Sequence, residues 1–88
     1  MMSKTHREIL LTGLPRWLVE DYLASLGATL QHGEWVHPKG WRAQVEPAPD
    51  YQIGSLRVGQ VWLRLHGEDQ AFQSAWEALK PKLLRAGG

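Results

Sequence analysis

The sequence predicts an α+β fold: a mainly antiparallel sheet with two amphipathic helices on one face, in the order β-α-β-β-β-β-α. Three observations carry that expectation. Apolar residues recur at three- and four-residue steps in the segments 15–27 and 69–83. Between them, from Thr29 to His66, the period falls to two and is punctuated by turn residues. Ahead of the first helix, a short apolar run, Ile9 to Leu11, is closed by Thr12 and Gly13 and reads as a strand.

Each element follows from local chemistry. Pro15 suits a first helical turn and Gly27 suits the residue just past a helix, which brackets helix one. At 100° per residue Leu18, Val19, Tyr22, Leu23 and Leu26 form its apolar stripe, and Trp17 falls nearly opposite on the polar side. Turns are expected at Gly33, at Pro38 to Gly40, at Pro47 to Asp50 and at Gly54 or Gly59. Trp41, Ala43 and Val45 alternate with Arg42, Gln44 and Glu46, and Val61, Leu63 and Leu65 alternate with Trp62, Arg64 and His66, each as a strand with one buried and one wet face. Gly54 and Ser55 interrupt the stretch from Tyr51 to Val58, where a bulge is expected. Asp69 is placed to cap helix two, whose apolar face is Phe72, Ala75, Trp76, Leu79 and Leu83. Pro81 lacks a backbone donor and crowds the preceding turn, so that helix should stop near Lys80 or kink.

Composition narrows the function classes. The 88 residues supply one core and not two, so 1–88 is expected to be a single domain. Ten Lys and Arg against nine Asp and Glu leave +1, which gives no field to draw the chain onto nucleic acid or an anionic membrane. There are no cysteines, so disulfides, thiolate metal sites and thiol nucleophiles are excluded. The first thirteen residues hold too short an apolar run for a signal peptide or a membrane span, and the cytoplasm is the expected location.

No catalytic pattern emerges. His6, His32, His37 and His66 do not share the spacing of a metal cluster, and neither a metal nor a cofactor is expected. The serines lack a glycine-flanked elbow, the glycines form no phosphate loop, and the turn carboxylates Glu34, Glu46 and Asp50 have no evident apolar pocket to shift them. The expectation is a protein that is not an enzyme. Two features instead suggest binding. With both helices on one face, the other is bare and carries Trp62, Arg64 and His66 beside Arg42 and Gln44, apolar area next to directional donors. Trp17 is a second exposed aromatic. A third feature is the end of the chain, Gly87 and Gly88, similar to the flexible Gly-Gly of ubiquitin-like sulfur carriers, although there it leaves a strand and here it follows a helix.

Three longer motifs carry a family resemblance: P-x-W-L-x-E-x-Y-L-x-x-x-G from Pro15 to Gly27, V-E-P from Val45 to Pro47, and I-G-S-L from Ile53 to Leu56. Over about positions 7 to 69 the chain resembles the carboxyl-terminal domain of bacterial MoaD-related proteins, relatives of the small, sulfur-carrying subunit of molybdopterin synthase. The resemblance implies a curved antiparallel sheet of the TATA-binding-protein type with helices on one side. It also implies a noncatalytic accessory or regulatory module of molybdenum-cofactor biosynthesis or sulfur transfer, detached from the carrier module that precedes this domain in the family. A separate sulfur carrier, a molybdopterin synthase component or a second copy of the chain is then the expected partner, met through Trp17 and the open sheet face. The alternatives are a pterin-like ligand on that face and sulfur carriage on Gly88.

Overall fold

The computed structural model describes residues 3–87. Five strands and two helices follow one another as β1 (Lys4–Thr12), α1 (Arg16–Ser25), β2 (Thr29–Gln31), β3 (Glu34–Val36), β4 (Trp41–Ile53), β5 (Leu56–Glu68) and α2 (Asp69–Gly87). The strands form one antiparallel sheet in the order β1-β5-β4-β3-β2. Class and element order agree with those expected from the sequence.

Both helices lie on the same face because the sheet offers only one apolar face. Trp41, Ala43 and Val45 of β4 and Val61, Leu63 and Leu65 of β5 are buried, and they meet Val19 and Leu23 of α1 and Phe72, Ala75, Leu79 and Leu83 of α2. Leu23, Leu63, Leu65 and Leu79 are 0% exposed, each contributing about 1.5–3 kcal/mol by leaving water. Among the described residues no polar or charged side chain is buried. The fold therefore rests on apolar packing, and any site must lie on the surface. At the rim, Arg7 sits over the Trp76 ring at 4.8 Å and Lys82 over Tyr22 at 5.5 Å, tying β1 to α2 and α2 to α1.

Helix α1 starts where Pro15 accepts hydrogen bonds from Leu18 and Val19 N–H, and it ends as Gly27 turns to φ 101° while Ala28 N–H donates back to the Leu23 carbonyl. His37 locks this end in place. Its Nε2 lies 2.9 Å from the Leu26 carbonyl oxygen, its Nδ1 accepts from Lys39 N–H at 3.0 Å, and its ring stacks on Trp41 at 4.7 Å. A nitrogen facing a carbonyl must donate and one facing an amide must accept, so the ring is neutral and protonated on Nε2. The neighbouring β2–β3 hairpin turns at His32 and Gly33, both at positive φ as a tight hairpin requires.

Three expectations need correction. Pro47 to Asp50 is not a turn but lies inside β4, which runs unbroken to Ile53. Hydrogen-bond parity explains why Pro47 is tolerated there. Along β4, residues 42, 44 and 46 face β5, so Pro47 directs its missing donor to the far side, where β3 pairs only with Arg42 and Ala43. The bulge lies between Ala48 and Tyr51, whereas Gly54 and Ser55 form the hairpin turn. The Pro49 carbonyl freed by the bulge accepts from Gln60 Nε2 at 2.9 Å. Finally, of the stop or kink expected at Pro81, the stop does not occur: α2 continues through Pro81 to Gly87. The buried anchors Leu79 and Leu83, 0% and 3% exposed, hold the helix against the sheet on either side of the proline. Gly87 is the last residue of α2, and Gly88 lies outside the described residues.

As a result β4 and β5 form a two-stranded ribbon that projects beyond the helices and stretches the molecule to 50 × 23 × 19 Å.

Candidate functional site: the open sheet face

With Val61, Leu63 and Leu65 buried, strand alternation turns Trp62, Arg64 and His66 to the opposite face. The register completes three rows there: Leu10–Trp62–Glu46, Glu8–Arg64–Gln44 and His6–His66–Arg42. All five open-face candidates, Trp62, Arg64, His66, Arg42 and Gln44, are thus brought together. Trp17 is 68% exposed as expected, but it sits in the helix layer behind the sheet, so the structure does not unite it with them.

The charged side chains of this face are paired with one another. Arg64 Nη1 donates to Glu46 Oε1 at 2.8 Å, and its Nε, itself out of water and without a hydrogen-bond partner, lies 3.6 Å from Glu8 Oε1. Arg42 Nη1 donates to Glu34 Oε1 at 3.0 Å, and His66 Nε2 is 3.2 Å from Glu34 Oε2. His6 lies 3.3 Å from Glu8 and stacks with His66 at 6.4 Å. Partial burial raises the affinity of Glu34 for a proton, but the hydrogen bonds and charges of Arg42 and His66 outweigh that effect and hold its carboxyl below the usual range. Glu34 follows the His32–Gly33 turn, as expected of a turn carboxylate, and is the acceptor shared by Arg42 and His66.

The apolar part is larger than the sequence suggests. Strand β5 keeps its alternation to its start, so Val58 and Leu56 share the face of Trp62. Their partners across the ribbon are Tyr51 and Ile53. Tyr51, Ile53 and Leu56 are 49%, 57% and 61% exposed. The bulge brings them there, since its extra residue moves Tyr51 and Ile53 onto the other side of β4. Two prolines and a Gly-Ser pair obscured the pattern in sequence. The surviving signal was the alternation Tyr51, Ile53 and Leu56, Val58 around Gly54.

Chemically, this surface offers an apolar patch at the ribbon tip and, beyond the Gln60 row, a field of ion pairs around Arg64 and Glu34. Among the described residues no three His, Cys, Asp or Glu side chains are grouped to hold a metal ion, and no helix is long and apolar enough to cross a membrane.

A family model described as archaeal MoaD-like protein matches residues 7–88. No curated protein matches the sequence.

Proposed function

From a chain that belongs to the archaeal MoaD-like family, we infer a noncatalytic, single-domain accessory module that acts by binding a protein component of molybdopterin synthase or sulfur-transfer chemistry. The observation that carries this reading is the exposed apolar patch at the tip of the projecting ribbon, where Tyr51, Ile53, Leu56 and Val58 lie together on the open face and Gln60 separates them from Trp62. A patch of that kind, bordered by polar groups, suits a protein partner. The sequence resemblance was to bacterial relatives and the matching family is archaeal; both lead to the same chemistry. A cytoplasmic location accords with a chain that has no cysteine.

The committed ion pairs argue for a protein over a pterin-like ligand. A planar, hydrogen-bonding ligand on Arg42 and Arg64 would compete with Glu34 and Glu46 for the same guanidinium groups, whereas an apolar partner on the ribbon displaces only water. Sulfur carriage on Gly88 is the less favoured alternative, because the preceding residue belongs to a helix rather than to an extended tail.

The test is calorimetric titration of the chain against purified molybdopterin synthase subunits and sulfur carrier from the same organism. Binding should weaken at least about tenfold in the Ile53→Asp/Leu56→Asp double variant, the loss of about 1.4 kcal/mol expected for a central apolar contact. Both residues are exposed, so far-ultraviolet circular dichroism should be unchanged. No heat at either of two well-separated temperatures with ~1 mM of every component, an affinity of about −4 kcal/mol or weaker, would refute the reading.

A further inference from the structure

We propose that β1 pairs with the β1 of a second copy of the chain, antiparallel and about a two-fold axis at Leu10, so that two sheets become one. Strand β1 is an edge strand, and its hydrogen-bond parity is fixed. Gly13 N–H donates to the Gly59 carbonyl at 2.9 Å and Asp69 N–H to the Ser3 carbonyl at 3.0 Å. With the register running from Lys4↔Glu68 to Thr12↔Gln60, the odd residues of β1 exchange bonds with β5. The N–H and C=O of Lys4, His6, Glu8, Leu10 and Thr12 therefore point to the free side.

Only an even residue set against an even residue closes hydrogen bonds there, so both copies must carry their helices on the same side of the joined sheet. The side chains then choose the register. An axis at Arg7 or Glu8 sets like charges opposite one another, which is destabilising. An axis at Ile9 sets Glu8 against Leu10 and Arg7 against Leu11. An axis at His6 pairs Lys4 with Glu8 but leaves the apolar end of the strand in water. An axis at Leu10 sets Leu10 against Leu10, Ile9 against Leu11 and Glu8 against neutral Thr12, and it leaves Lys4, His6 and Arg7 outside the paired stretch.

A second, independent observation agrees. An apolar cleft runs along this edge between Ile9, Leu10, Leu83 and Leu84, and its outer walls are uncovered, with Leu10 43% and Leu84 62% exposed. The axis at Leu10 is the register that brings this end of α2 against its own copy. Charge permits the encounter: at +1 the two chains meet without strong repulsion.

Two measurements test the pairing. Sedimentation should give a concentration-dependent dimer, and Leu84→Lys, at an exposed position, should weaken it about tenfold or more while circular dichroism stays unchanged. A chain that stays monomeric up to ~1 mM, or a dimer indifferent to Leu84→Lys, overturns the proposal. Amide hydrogen exchange followed by NMR reads the register. The N–H groups of Glu8, Leu10 and Thr12 should slow with rising protein concentration while those of Lys4 and His6 stay fast. Slowing at Lys4 and His6 instead, or no slowing along β1, overturns it. Neither measurement involves the ribbon, so this proposal and the ribbon's partner stand or fall separately.

Discussion

Trp41 and Gly67 face each other across β4 and β5 at a distance that admits no side chain: a Cβ at position 67 would stand 2.9 Å from the Trp41 Cα and 3.1 Å from the Gly40 carbonyl oxygen. Neither obstacle is a side-chain tip that can swing aside. Gly67→Ala should therefore cost about 1–3 kcal/mol, as overpacking does in a closely packed interior. Urea denaturation would measure the loss, and an unchanged midpoint would contradict the close approach.

His37 joins the end of α1 to the β3–β4 turn through two hydrogen bonds, and it stacks on Trp41. His37→Phe keeps the stack and removes both bonds, leaving the Lys39 N–H and the Leu26 carbonyl to find water. The expected loss is about 1–3 kcal/mol, read as a lower thermal midpoint. If His37→Phe matches the parent, stacking alone holds this corner.

Glu34 makes part of the stability depend on acidity. Its carboxyl is held below the usual 4.5, so in that range the unfolded chain binds more protons than the folded one. The contribution is present above 4.5 and fades as pH falls through the depressed value. Arg42 is 54% and His66 39% exposed, so the pair contributes roughly 0.5–1 kcal/mol. Glu34→Gln should lower stability by that amount near neutral pH and by progressively less in acid. Parallel stability curves from pH 6 to pH 3, taken as about the range of carboxylate titration, would contradict the assignment.

Pro81 leaves a defect in α2 that packing at Leu79 and Leu83 overcomes. Pro81→Ala restores a backbone donor and removes a clash, and should raise stability by about 1–3 kcal/mol. Thermal denaturation followed at 222 nm would show it. A destabilised variant would mean that the proline's ring packs productively.

Trp17 tests whether exposed aromatics on opposite sides of the sheet act together. Since it lies in the helix layer, Trp17→Ala should change stability by no more than about 0.5 kcal/mol and leave binding through the ribbon unchanged. A loss of affinity comparable to that of the Ile53→Asp/Leu56→Asp double variant would show that the partner reaches around the sheet edge.

The alternating strands and both helix stripes could be read in sequence because each has a period that one-sided burial enforces. Val61, Leu63 and Leu65 had no other face to take, and Trp62, Arg64 and His66 followed automatically. Long-range partners could not be read in this way. Nothing local brings Glu8 and Glu46 to Arg64, or Glu34 to His66; those contacts exist only once β1, β4 and β3 take their places in the sheet. The prolines misled for a related reason. Pro47 and Pro81 carry strong local signals for a turn and a helix end, but each is overruled by tertiary context, the first by a free strand side that needs no donor and the second by anchors on both flanks. The extent of the apolar patch was hidden with them, because its register depends on the bulge before Tyr51.

Pro47 also limits how the molecule can grow. On the free side of β4 its missing donor interrupts the row of backbone groups that a foreign strand would need, and the opposite end of the sheet, β2, is only three residues long. A chain with one receptive edge can be completed but not extended. Whatever joins at β1 ends the series, and the long flat stack from which fibres are made never finds its next step.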